Sequence, residues 1–136
     1  MFQGCSNQKP TEPASTTVIT GTGSITIDQS SGSRDDYTFS SAGRNYGKIA
    51  LLTSNGNDCT FEAYGIVQSS ATVAPESFPG TSAAVSLGYA YIIQTDTAPH
   101  FGRVTVTAVS VNSSAHTITV QFQWVVQTEA GNRSLQ

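Results

Sequence analysis

Charged side chains are scarce in this chain of 136 residues, at 11% of the total against roughly 25% in an average soluble domain. The six Lys and Arg stand singly, and the formal net charge is −3. Nucleic-acid binders carry a basic patch or stripe, so its absence excludes nucleic acid as a partner. Cysteine is nearly missing, with two residues, enough for one intramolecular bridge and no more. A chain of this length buries a core without staples and suits one domain. No apolar run approaches the roughly 18 residues of a helical membrane span, and helical heptads are absent. What is abundant is hydroxyl: Ser and Thr supply 18 residues each. The surface is therefore dressed in hydroxyls and amides rather than ions, a habit of secreted and cell-surface β domains.

Period-two alternation runs through the chain from about residue 16. In "TITVQFQWVV" the residues Ile118, Val120, Phe122, Trp124 and Val126 share one face, and Thr117, Thr119, Gln121 and Gln123 the other. Successive strand side chains point to opposite faces, so this is a half-buried strand. "RVTVTAVSV" alternates through Val104 and Val106 and slips phase at Ala108–Val109, the signature of a β-bulge. "NSSAH" joins the two as a hairpin loop. "GYAYIIQT" sets Tyr89, Tyr91 and Ile93 on one face, and "CTFEAYGIV" sets Cys59, Phe61, Ala63 and Val67 together, with Thr60, Glu62 and Tyr64 opposite. "GKIALLTS" is apolar enough for a central strand, and "NGND" turns it into the next. "DYTF" is a short strand, and "STTVIT" and "SITIDQ" read as two short edge strands separated by "GTG". "QSSATVAPESFPGTSAA" is the longest irregular connection, of a length more often functional or a crossover than slack. About eight strands with turn signals every 8–12 residues or so predict an all-β fold. Its architecture is a β-sandwich, immunoglobulin-like in outline, with a closed β-barrel as the alternative. The domain spans 18–128, and the polar tail 129–136 is expected to fray.

The opening "MFQGCSNQKPTEPASTT" cannot form a core, and Cys5 invites three readings. "FQGC" resembles the end of a bacterial lipobox, with Gly4 before a cysteine whose thiol carries diacylglycerol; Phe2 stands at the usual Leu position and Gln3 where a small residue is usual. Residues 6–17 then form a flexible tether. The second reading makes "FQG" a remnant of tag removal, and the third joins Cys5 to Cys59 in a disulfide. Cys59 itself reads most simply as a buried small hydrophobe.

Catalytic and metal signals stay at the level of chance. His100 in "TDTAPHFGR" and His116 beside the hairpin loop read as surface turn residues, without the clustered ligands of a zinc site. Serine, histidine and aspartate are present without a G-x-S-x-G elbow. Asp28, Asp35 and Asp36 in "DQSSGSRDD" surround a Gly-Ser turn, read as solvated because the spacing of a calcium loop is missing. "GTGS" lacks the following helix of a phosphate loop. Asn112 and Asn132 match the glycosylation sequon. Among Tyr37, Tyr46, Tyr64, Tyr89, Tyr91 and Trp124, most read as packing residues. Tyr64 stands out as a platform for a sugar or peptide because its neighbours on that face are polar.

About a third of the chain, through "GYAYIIQTD", "HFGRVTVTAVSV" and "HTITVQFQWVVQ", resembles β-rich bacterial lipoproteins, HmuY-like proteins among them. The pattern is carried by Tyr89, Tyr91, Thr95, Asp96, Phe101, Gly102 and Arg103. Two features depart from it: "TDTAPHF" replaces a short Asp-Gly turn, and the chain is shorter than a typical member. The resemblance implies display on the bacterial cell envelope and, in its HmuY-like form, haem held by two histidines. Neither His100 nor His116 falls on a matching motif, so that role is not carried over. The expectation is a non-catalytic surface lipoprotein domain with a binding or assembly role and no cofactor. Its partners are the membrane, through lipid on Cys5, and a second copy or another surface protein. The alternatives are a haem or small-ligand binder and a subunit of an extracellular filament built by strand pairing between chains.

Overall fold

The computed structural model describes residues 17–136. Cys5 and the expected leader, apart from Thr17, lie outside the described residues. Eight strands follow one another: β1 (Val18–Asp28), β2 (Arg34–Ser41), β3 (Arg44–Thr53), β4 (Cys59–Gln68), β5 (Gly80–Ala84), β6 (Ala90–Gln94), β7 (Phe101–Asn112) and β8 (Thr117–Gln127). All pair antiparallel in one sheet of order β1-β8-β7-β6-β4-β3-β2, with β5 beside β4. The all-β expectation of about eight antiparallel strands holds. The single sheet curls until its first and last strands face each other, so its two walls enclose one interior and the architecture is nearly a closed barrel.

No backbone ladder joins β1 to β2 among the described residues; side chains close the seam instead. The Tyr37 hydroxyl donates to the Thr22 carbonyl at 3.3 Å, and the Trp124 indole N–H donates to the Tyr37 hydroxyl at 3.2 Å. The predicted pair of edge strands around "GTG" is one unbroken strand, in register with β8 from Val18↔Gln127 to Asp28↔Thr117. The glycines are read as a turn in sequence but serve the packing. A Cβ on Gly21 would lie 2.5 Å from the Trp124 ring, and one on Gly23 would lie 2.7 Å from the Tyr37 ring. The large rings of β8 and β2 fill the space that side chains on β1 would take.

The core follows the alternation. Ile118, Val120, Phe122, Trp124 and Val126 are buried, and they meet Phe39, Ile49, Leu51, Phe61, Tyr91 and Ile93 from the facing strands. Edge-to-face rings link the two walls, with centroids 5.3 Å apart for Phe39–Trp124 and 5.2 Å for Tyr37–Phe122, a geometry the ring quadrupoles favour. Cys59 is a free, buried thiol in this core, and burial pushes its pKa up. The predicted bulge in β7 lies between Val106 and Ala108.

Two expectations fail for packing reasons. In β4 the inward phase passes from Phe61 and Ala63 to Ile66, while Val67 turns outward. The pairing with β5 shifts between Glu62 and Ile66, and Phe78 lies over Gly65, where a Cβ would sit 2.7 Å from the ring. The C-terminal segment does not fray. Leu135 is buried with Ala74, Ile92 and Phe101 in a second cluster outside the barrel. Its N–H bonds to the Thr72 carbonyl at 2.7 Å, and the Arg133 guanidinium lies 5.3 Å above the Phe101 ring. The long connection between β4 and β5 is thus clamped against the sheet by the end of the chain.

Candidate functional site

On the outer face of β2, β3, β4 and β5 the register lines up Asp36, Ala50, Glu62 and Ser82 in one cross-strand row. Ala50 is small and buried, so the row has a low centre between two acidic side chains. Arg34, one row away, reaches Glu62 at 2.6 Å and Asp36 at 3.7 Å, and Lys48 reaches Asp36 at 3.0 Å. The hydrogen bond that Arg34 donates to the Glu62 carboxylate holds the guanidinium above its ordinary pKa. These side chains wall a hollow of about 420 Å3 above Ala50, with Ala63 and Thr81 also in its lining.

Tyr64 closes this hollow and also lines two others. One, of about 280 Å3, runs under Phe78 toward Phe101 and Arg133. The other, of about 200 Å3, runs past Lys48 toward Asn45, Thr38 and Asp96. The three form a trough with the Tyr64 ring at their junction, and that ring is 52% exposed. The long connection anchored by Leu135 supplies one bank.

Tyr64, singled out by its polar neighbours in sequence, lies at the centre of this trough. The other aromatics divide. Tyr91 is buried, Tyr37, Tyr46 and Trp124 pack in or against the core, and Tyr89 is exposed away from the trough. Arg34, Lys48 and Glu62 were not marked as a group by sequence. They are 14 to 28 residues apart in the chain, and only the strand register unites them.

His100 is a correction. It is not a surface turn residue: its side chain is 14% exposed and its Nδ1 lies 2.6 Å from Asp96. Asp96 Oδ1 also accepts the N–H groups of Ala98 and His100, so the carboxylate organises the turn that holds the cis Ala98–Pro99 bond. The Tyr46 ring meets the imidazole edge-on at 5.5 Å. Among the described residues no hydroxyl or thiol bonds to this imidazole, so the dyad lacks a nucleophile partner. His116 sits past the far end of β7, and its carbonyl accepts the Gln29 N–H at 2.6 Å. With 12 residues in β7, the two histidines are separated by a strand of about 40 Å and do not converge on one ligand. Asp35 and Asp36 do not converge either, since Asp36 is drawn to Lys48 while Asp35 accepts the Asp36 N–H. No group of three or more His, Cys, Asp or Glu able to hold a metal occurs among the described residues. No family model matches this chain, and no curated protein and no solved structure is significantly similar to it.

Proposed function

We propose that this chain is a non-catalytic binding domain displayed on the outer surface of a bacterial cell, held there by lipid on Cys5, with the Tyr64 trough as its ligand face. One observation carries the binding half: three hollows converge on a single half-exposed ring, in a lining that mixes charged and hydroxyl side chains with Ala50, Phe78 and Phe101. Sites of this kind are concave, rigidly supported and furnished with a few polar groups around an apolar contact. The support is rigid here because the trough floor is sheet rather than loop. The display half rests on "FQGC", the polar leader behind it and the hydroxyl-rich surface.

Intact-mass analysis of the protein from its own cells is expected to show a diacylglyceryl adduct on Cys5; an unmodified Cys5 behind an intact Met1 would remove the anchor. For binding, a fragment screen read by 1H–15N NMR is expected to place its shifts at residues 48–50, 62–64 and 76–81. Shifts gathered on β1, β7 and β8 instead would remove the trough as ligand face. The haem alternative needs ligands other than the two histidines together, and a haemin titration with no Soret shift would dismiss it.

The filament alternative keeps one favourable observation. Beyond Val106, β7 has β8 on one edge and no backbone partner on the other among the described residues. That edge, Ala108–Asn112, carries neither Lys nor Pro, the usual guards of a free edge. Val109 and Val111 are 41% and 53% exposed along it. Electron microscopy at high concentration would show filaments on this reading, and monomers alone would dismiss it.

A further inference from the structure

We infer that the ligand of the Tyr64 trough is a neutral saccharide chain. This rests on the trough being the binding face, and it names the ligand class from the state of each group that lines it.

Most of the ions are already engaged. Arg34 is on Glu62, Lys48 is on Asp36, and Arg133 donates to the carbonyls of Pro75 and Glu76. In the hollow above Ala50, Arg34 and Lys48 stand with Glu62 in the lining and are paired to it and to the neighbouring Asp36, so little net field remains to draw in an anion or a cation. Apart from the Glu76 carboxylate at the second hollow, the unengaged groups are neutral. The hydroxyls of Thr38 and Thr81 and the amide nitrogen of Asn45 make no hydrogen bond to other described residues, Asn45 using only its oxygen, on the Gly47 N–H. They lie around a ring whose face is open to solvent. A pyranose offers the complement: C–H bonds of slight positive charge for the negative ring face, and a rim of hydroxyls that both donate and accept.

The other ligand classes fit less well. A peptide added as a strand needs a free sheet edge; β5 pairs with β4 alone and keeps one, but the Tyr64 ring and the ion pairs of the trough stand on the face of the sheet. A large apolar ligand needs apolar walls; in the hollow above Ala50, Arg34, Lys48, Glu62 and Thr81 stand beside Ala50, Ala63 and Tyr64, so such a ligand would meet charged and hydroxyl groups among the carbon.

The test is an NMR titration of the folded domain with neutral gluco-, manno-, galacto- and N-acetylglucosamine oligosaccharides, beside an uncharged unstructured peptide. The expected result is saccharide-induced shifts at Tyr64, Lys48, Thr81 and Asn45 that are unchanged by added salt. Tyr64→Ala should weaken binding about tenfold or more, and Tyr64→Phe should stay within about threefold. The amide spectrum of each variant verifies its fold. If none of the saccharides shifts the trough but the peptide does, the saccharide class is overturned and the trough survives as a binding face. If saccharides bind only at β1, β7 and β8, or if nothing in the set shifts Tyr64, the saccharide inference is likewise overturned. In the first of those cases the trough reading falls with it. Affinity that collapses as salt rises would also overturn the inference, since it would mean an ionic ligand mode.

Discussion

The two walls of the barrel share one interior and present opposite exteriors. Outward from β1, β8 and β7 stand Thr20, Thr22, Ser24 and Thr26, then Thr119, Gln121 and Gln123, then Thr105 and Thr107, with hydroxyls close enough to bond across strands, as Thr26 does to Thr119 at 2.8 Å. The one cation within that face, Arg103, is tied to the Ala71 carbonyl. Outward from β2, β3 and β4 stand Arg34, Asp36, Lys48 and Glu62, linked by three ion pairs. A chain so poor in charge concentrates four of its ions on one wall, beside the exposed Tyr64. Exposed ion pairs contribute about 0–1 kcal/mol each, so stability alone gives weak reason for this arrangement. Both walls carry hollows, but only those of the ionic wall gather charged groups around an exposed aromatic ring, which is why that wall is the one proposed as the ligand face.

The comparison can be broken first from inside. Phe122 reaches from the hydroxyl wall to the rings of Tyr37 and Phe61 on the other. Phe122→Ala is expected to lower the unfolding free energy by about 3–5 kcal/mol in urea melts. Gly21→Ala places a methyl against the Trp124 ring, whose nearest atom is 2.5 Å away, and is expected to cost about 1–3 kcal/mol. Thr20→Ala, one residue away on the outer face, should change stability by no more than about 0.5 kcal/mol. If the two variants are equal, the packing role assigned to the glycine is wrong.

Smaller effects sharpen the contrast at the seam and in the core. Tyr37→Phe removes the acceptor of the Trp124 N–H and should cost about 1–2 kcal/mol, with a shift in tryptophan emission and faster amide exchange along β1. Burial raises the pKa of Cys59 and Tyr91. The unfolded chain then loses these protons at lower pH than the folded one. Their contribution is complete below about pH 8.5, the unfolded thiol value, and declines as pH rises through the folded values. Cys59→Ala should flatten the first part of that decline in urea melts taken across pH. The smallest effect is expected on the ionic wall: Glu62→Gln breaks its bond with Arg34 yet should cost less than about 1 kcal/mol. A larger loss would make the ion network a structural device and remove the contrast between the walls.

The fold was legible where one physical pattern dominated. β8 alternates cleanly because one side of it meets the core and the other meets water. Legibility failed where a local signal had a distant cause. "GTG" carries a turn composition, and only the rings of Trp124 and Tyr37 explain glycine in the middle of a strand. Ile92 and Val67 face outward yet are covered, because the connection after β4 and the C-terminal segment bring Ala74, Phe78 and Leu135 over them. His100 read as exposed because its partner Asp96 gives no sign of pairing until the turn closes. Of the trough, Tyr64 was visible as an aromatic among polar neighbours, but its ionic walls were not.

The sequence by itself determined the all-β class, the inward face of most strands, the bulge in β7 and the scarcity of free charge, since these depend on each residue and its near neighbours. Only tertiary structure decided how the sheet curls, that side chains rather than a backbone ladder close the β1–β2 seam, and that Arg34, Lys48, Glu62 and Tyr64 share one trough. Those outcomes depend on pairing register and ring contacts between residues far apart in the chain, which alternation along a single strand does not encode.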